Sequence, residues 1–176
     1  GECVGGCDNF VAGADTGVLY IRAEYPESVA VISEAIDHLV NSGLVGKNIK
    51  GSGFDFGFKV IKAQGAYICG EETALLSSIE GQRPEVRVRP PFPTQQGLFN
   101  KPTVVNNVET LACLPYIMKN GGAAYAAIGQ QKSTGTKLLS LDGYFNRPGI
   151  YEVDMGTPLS TVLHKLGGGF RVPVKA

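Results

Sequence analysis

The sequence predicts an α/β fold, and three observations carry the expectation. An apolar, β-branched run at 17–23 (GVLYIRA) has the composition of a strand buried on both faces. A helix-periodic segment opened by Pro26 follows it, and an alternating run at 54–60 (FDFGFKV) comes next. Strand, helix and strand in that order suggest a parallel sheet with a helical crossover.

At 176 residues the chain is long enough for a larger domain plus a small one, each with a core. The expected division is an N-terminal segment at 1–16, a first domain at 17–122 and a second at 123–176. Sixteen basic and sixteen acidic residues cancel, without any Lys/Arg run. Nothing electrostatic therefore points to nucleic acid or an anionic membrane as partner. No apolar stretch reaches the roughly 20 residues needed to span a bilayer, so the expectation is an intracellular protein without membrane insertion. The four cysteines, Cys3, Cys7, Cys69 and Cys113, are scattered and do not form a secreted disulfide framework. Cys3 and Cys7 have a C-x3-C spacing without a second pair or a His cluster near them, so no metal site is expected there.

The first strand is followed by Val29, Ile32, Ile36, Leu39 and Val40 at helical spacing, with a stop at Ser42-Gly43, which predicts an amphipathic helix covering the strand. In the second strand Phe54, Phe56, Phe58 and Val60 share one side, and Asp55 and Lys59 the other.

Two glycine-rich stretches resemble nucleotide motifs and fail as such. GSGFDFG has Phe56 where a dinucleotide fingerprint needs Gly, and it precedes a strand instead of following one. QQKSTGTK has Lys, Ser and Thr in the wrong order for a P-loop. With no G-x-S-x-G and only His38 and His164, a hydrolase triad has little support. His38 within the first helix reads as a surface or packing residue.

The most informative stretch is AYICGEETALL at 66–76. One reading is structural: Gly70 permits a tight turn, and Glu71 and Glu72 complement the dipole of the following helix by roughly 0.3 to 1 kcal/mol each. The other is functional: the helix start faces a cleft beyond a strand's carboxyl end, and the carboxylates accept hydrogen bonds from ligand hydroxyls or an amide. Pattern alone leaves the two even. Cys69 could have a lowered pKa before a helix, but the apolar Tyr67-Ile68 favours a buried, inert thiol.

Four prolines from Pro90 to Pro102 forbid a regular helix and hold Phe92 in a stiff loop, either as a core anchor or as a ring for stacking on a planar ligand. Asn106 to Glu109 has the form of a capping box, which gives Asn106 a cap role and leaves Asn107 without a local duty. Two adjacent amides at a helix start also suit the polyhydroxyl or phosphate part of a cofactor.

Four segments, VGKNIKGSGFDF, AYICGEETALLSSIEG, the PPFP loop and GLFNKPTVVNNVETLA, together resemble the flavin- and NADH-binding 51 kDa subunit of respiratory complex I. The same pattern occurs in the diaphorase subunits of NAD(P)-linked hydrogenases and formate dehydrogenases. The resemblance runs from about Gly17 to the end. It implies a Rossmann-like FMN-binding domain, hydride transfer from NADH to FMN and onward electron transfer to iron-sulfur clusters. It also implies partners among other iron-sulfur subunits and a cytoplasmic place peripheral to the inner membrane. By resemblance, Tyr67, Gly70, Glu71 and Glu72 lie against FMN and the nicotinamide, with Glu72 contacting NADH. Phe92 stacks on adenine, and Val105, Asn106 and Asn107 hold the ribityl-phosphate side of the flavin. The flavin does the chemistry, so no side chain is expected as a general acid or base.

Relative to that family, the chain lacks the upstream glycine-rich loop, the segment after it and the C-terminal cysteine set that ligates a tetranuclear cluster, and GQRPEVRVRP replaces the usual G-x-x-G-E-P-R. A fragment, inactive by itself, is the expectation, with a degenerate paralogue serving as a non-catalytic ligand-binding or interaction module on the same fold as the alternative. The tail from Thr136 reads as strand (TKLLSLDGYF), turn (NRPG), strand (GIYEVDM) and a short helix capped by Thr157 with Pro158 first, running to Gly167. That order resembles the opening of the β-grasp SLBB domain that follows the flavin domain in this family, with its remaining strands expected beyond Ala176. Pro115 should bend or end the helix begun at Val108.

Overall fold

The computed structural model describes residues 13–173 and the backbone of residues 2–3. Cys7 lies outside the described residues, and Cys3 is described only in its backbone. The chain has mixed helices and strands and clusters into two compact units, 1–112 and 113–176.

In the first unit, strand β1 (Glu2–Cys3) lies between β2 (Thr16–Arg22) and β4 (Asn106–Asn107), antiparallel to both, and β2 pairs in parallel with β3 (Gly57–Ala63). The β2–β3 ladder runs from Thr16 opposite Gly57 to Arg22 opposite Ala63. Helix α1 (Pro26–Asn41) supplies the crossover between these strands. Pro26 opens it with a φ suited to a first turn, and Gly43, at φ +66, follows its end.

Its cover over the sheet is thinner than the sequence predicts. Val29, Ile32, Ile36 and Leu39 are half-buried, no residue of α1 is fully buried, and Val40 is exposed because it lies about 100° round the helix from Leu39. The second strand begins at Gly57 and not at Phe54. Residues 54–56 are held instead by the preceding loop, through mutual backbone bonds between Gly46 and Phe56, a Lys47–Asp55 ion pair at 2.6 Å, and the Asn48 amide donating to Asp55. The phenylalanines remain together as expected, Phe56 edge-on to Phe58 with centroids 5.0 Å apart.

After β3 a 3₁₀ turn (Tyr67–Gly70) leads into α2 (Glu72–Ile79). Thr73, Ala74, Leu75, Leu76 and Ser77 are all buried. Tyr20, Cys69 and Leu75 form a core cluster, with Ile61, Ala63, Ile79 and Val105 packed against it. Burial pushes the Tyr20 hydroxyl's pKa up, and that hydroxyl shares a 2.9 Å bond with Ser78. Helix α3 (Val108–Ala112) follows β4 directly.

The second unit begins with α4 (Leu114–Asn120), which has Pro115 in its first turn, and α5 (Gly122–Ala126). The predicted helix from Val108 is thus broken at Cys113, because Pro115 belongs at a helix start. A two-stranded ribbon, β5 (Gly129–Gln130) and β6 (Ser133–Thr134), precedes the hairpin of β7 (Thr136–Leu141) and β8 (Gly149–Asp154), in which Leu139 faces Tyr151. The expected terminal helix is a wide π-type turn at Thr161–Leu166, closed by the Gly167 amide donating to Val162. Thr157 does not cap it. Its hydroxyl donates back to the Asp154 carbonyl at 2.7 Å and closes the turn after β8. His164 is exposed in this segment, and His38 is exposed on α1, 3.8 Å from Glu34. Among the described residues no helix is long and apolar enough to cross a membrane.

Candidate functional site

The acid pair at the start of α2 is divided by geometry. Glu71 is the N-cap: its Oε2 accepts from the amides of Thr73 and Ala74 at 2.9 Å each and from the Thr73 hydroxyl, while Arg89 bonds its Oε1. Burial pushes the Glu71 pKa up, but the Thr73 hydroxyl, the two amides and Arg89 outweigh it and hold the carboxyl below its usual value. Glu72 is the first helical residue, and its Oε1 lies 2.9 Å from Arg89 Nη2. One guanidinium therefore balances two carboxylates. Sequence reasoning missed Arg89, although the charged VRVR run before the Pro-rich loop was a signal that a cation was at hand.

The turn before the acids is open. Tyr67 is 96% exposed, Ile68 is exposed, and Cys69 is buried, with its Sγ accepting from the Ala66 amide at 3.4 Å. Gly70 ends the 3₁₀ turn as expected, but without a left-handed φ, so the turn itself does not demand glycine; a Cβ there would meet nothing within 4 Å. What glycine provides at this position is bare, exposed backbone that a ligand can approach closely. Arg22, far off in sequence but within electrostatic range of Cys69, ends β2. Its Nε is buried without a partner, while its Nη2 bonds Glu24 at 2.6 Å. The carboxyl end of a parallel strand is where open α/β sheets bind ligands, and a buried donor without an acceptor there suits an acceptor-rich group such as a flavin or a phosphate.

Phe92 is 50% exposed, which rules out the core-anchor reading. Pro93 is buried in its place, and its carbonyl accepts from the Thr103 amide at 2.9 Å. The Phe92 ring is left toward solvent, three residues beyond Arg89.

The amide pair exchanges roles relative to expectation. Asn107 Oδ1 accepts from the Glu109 amide at 2.8 Å, so Asn107 is the local cap at the start of α3. Asn106 is the residue before it in β4, paired with Cys3 of β1. Val105, immediately before, packs on the Tyr20–Cys69–Leu75 cluster and so ties the VNN segment to the turn at 67–70.

A cavity of about 860 Å³ opens elsewhere, lined by Val18, Ile61, Leu75, Leu76, Ile79 and Lys59 among others, and none of the sequence-predicted site residues lines it. Its lining mixes those aliphatic side chains with Asp15, Lys59, Lys101 and Thr103. The acid turn, with Arg89 and the exposed Phe92, carries the sequence-predicted charged and aromatic groups. Among the described residues no group of three His, Cys, Asp or Glu side chains could hold a metal ion.

Comparison with known proteins points the same way. Residues 8–116 match the family described as the Nuo51 FMN-binding domain. The chain is 47% identical over 161 residues to an NADH-quinone oxidoreductase subunit of Aquifex aeolicus, covering 92% of this chain and 38% of that protein. It is 48% identical over 160 residues to the NADP-reducing hydrogenase subunit HndC of Solidesulfovibrio fructosivorans, covering 91% of this chain and 33% of that one. Among solved structures, an NAD+-reducing [NiFe]-hydrogenase in the H2-reduced state superimposes with a TM-score of 0.77 at 37% identity, over 88% of this chain and 26% of that one.

Proposed function

The chain belongs to the Nuo51 FMN-binding domain family, and from that premise we propose that it is part of the electron-input module of an NADH:quinone oxidoreductase-type complex. It spans about two-fifths or less of the length of the relatives named above, and in this reading it acts within a larger subunit. FMN bound by that subunit supplies acceptance of a hydride from NADH and delivery of single electrons to iron-sulfur clusters. The cluster ligands belong to the larger subunit or its partners, and the place of action is the cytoplasmic side, peripheral to a membrane complex.

The chain's own residues bind and orient. Tyr67 and the bare backbone at Gly70 give the isoalloxazine and nicotinamide a close wall, and the buried Arg22 Nε offers a donor toward the same edge. Glu71 is locked by its cap and fixes the direction of α2. Glu72, paired with Arg89 and outside the cap, is the carboxylate that accepts from a nucleotide's hydroxyls or amide. Phe92 presents an exposed ring to adenine. Val105, Asn106 and Asn107 hold the ribityl-phosphate side, and the Asn107 amide nitrogen is available for this while its oxygen caps α3. No side chain serves as acid or base, because alignment of the two rings governs the rate.

The first domain in this proposal is a Rossmann-like unit at 17–122, supported by the parallel β2–β3 pair. The second, at 123–176, is a β-grasp SLBB-type unit, supported by the β7–β8 hairpin and the helical turn after it. A diaphorase subunit of an NAD(P)-linked hydrogenase or formate dehydrogenase is the second reading, and the similarity to HndC and to the hydrogenase structure favours it equally.

The observation that carries the proposal is the juxtaposition of an acid pair, a bare glycine backbone and a partnerless Arg22 Nε beside a parallel strand pair. The test is a titration of the chain with FMN by fluorescence quenching, followed by NADH addition with flavin absorbance recorded. Quenching and bleaching support a competent site. A folded chain that neither quenches FMN nor binds ADP-ribose counts against it.

A further inference from the structure

We propose that Arg87 is the positioning residue of the nucleotide subsite: it pins the strap at 81–93 to α2 and thereby holds the Phe92 ring in place. The inference rests on the nucleotide reading of Phe92 and Glu72 given above.

It begins with an anomaly on α2. Thr73 and Ser77 are polar yet only 2% and 4% exposed, and the Glu80 side chain just past the helix is 10% exposed. Their spacing of i, i+4 and i+7 puts them in one row along the helix. Buried polar groups require partners, and one residue serves all three. The Arg87 amide donates to the Thr73 hydroxyl at 2.9 Å, its Nε to the Ser77 hydroxyl at 3.1 Å, and its Nη2 to Glu80 Oε2 at 2.6 Å. Glu80 Oε1 in turn accepts from the Phe99 amide at 2.7 Å, joining the loop at 98–100 to the same anchor.

From this anchor the strap has no freedom to wander. Arg89, two residues on, reaches Glu71 and Glu72. Beyond Phe92 the chain is fixed again by buried Pro93, and the Phe92 carbonyl accepts from the amides of Gln95 and Gln96. The exposed ring is thus suspended between two fixed points, Arg87 and Pro93. A planar fork is what lets Arg87 serve Ser77 and Glu80 together; a lysine ammonium retains the charge but cannot span both in the same geometry. Preorganising the ring before the ligand arrives removes an ordering cost from binding.

The test is an NMR titration of the ¹⁵N-labelled chain with ADP-ribose, which carries adenine, diphosphate and both riboses. Arg87→Lys is expected to weaken ADP-ribose about tenfold, to increase fast motion of the amides at 84–92, and to leave the α2 amides at 74–79 near their original shifts. The double variant Arg87→Lys/Phe92→Ala should bind no more weakly than Phe92→Ala alone, because Arg87 acts through the ring. Additive losses, or unchanged affinity despite a loosened strap, overturn the proposal. Glu80→Gln, which retains an acceptor for Phe99, repeats the test should Arg87→Lys lose its dispersed spectrum, with the same two outcomes. Wild-type affinity in Phe92→Ala, or no binding by the unsubstituted chain, sinks the nucleotide reading itself and this proposal with it.

Discussion

Arg89 stands 2.9 Å from the Glu72 carboxylate while also bonded to Glu71, so the two acids at the mouth of α2 share one cation. All three side chains are roughly one-third exposed, and ion pairs in that setting contribute about 0 to 1 kcal/mol. Such a pair orients Glu72 without burying it, and a ligand hydroxyl can take a share of the carboxylate at small cost.

Glu72→Ala should therefore weaken NADH by at least about tenfold, equivalent to roughly 1.4 kcal/mol, in FMN-loaded protein, with flavin occupancy retained. Phe92→Ala should do the same through loss of stacking. The measurement is NADH-dependent flavin bleaching against NADH concentration. Unchanged curves for both variants refute the nucleotide assignment.

Glu71 carries a stability prediction instead. Its folded pKa is lowered, so the stabilisation is fully present above the unfolded carboxylate value and is lost as pH falls through the folded one. Urea unfolding followed between pH 6 and pH 3, about the range that brackets an ordinary glutamate, should show stability declining on the acid side. Glu71→Gln should flatten part of that decline. Glu71→Ala should cost about 0.5 to 2 kcal/mol at neutral pH through loss of the cap. An Ala variant as stable as the original excludes the capping role.

Asn107 separates cap from cofactor contact. Asn107→Asp retains the oxygen that accepts from Glu109 and removes the amide donor, so helix content should hold while FMN retention falls. FMN per protein after gel filtration reads this directly, and full occupancy would remove Asn107 from the flavin site.

Gly97 tests the support behind the Phe92 loop. A Cβ there would stand 2.5 Å from the Thr103 Cβ and 2.7 Å from the Pro93 carbonyl. Gly97→Ala should destabilise the chain by about 1 to 3 kcal/mol through overpacking, seen as a lower urea midpoint at unchanged slope. A midpoint within error of the original would mean that the loop yields freely.

Much of the fold was legible because periodicity survives translation into structure. The run at 17–23 became β2, Pro26 opened α1, and the tail gave its hairpin in the expected order. The site was legible in its residue types and less so in their duties. The capping motif pointed to Asn106, yet the strand continues through Asn107 and shifts the cap by one residue. Phe92 offered two fates, and its exposure beside a buried Pro93 decided between them.

By itself the sequence determined the α/β character, the acid turn, the rigid Pro-rich loop and the family, since these depend on local pattern and on residue types at short spacing. The folded structure decided that Glu71 is the cap and that Glu72 pairs with Arg89 outside it. It also revealed that Arg87 and Arg89 staple a distant strap to α2. That staple depends on contacts between residues 7 to 18 positions apart in the chain. Across a loop no repeat of 2 or 3.6 residues records which partners will meet; the outcome is set by where buried polar groups such as Thr73 and Ser77 find their hydrogen bonds.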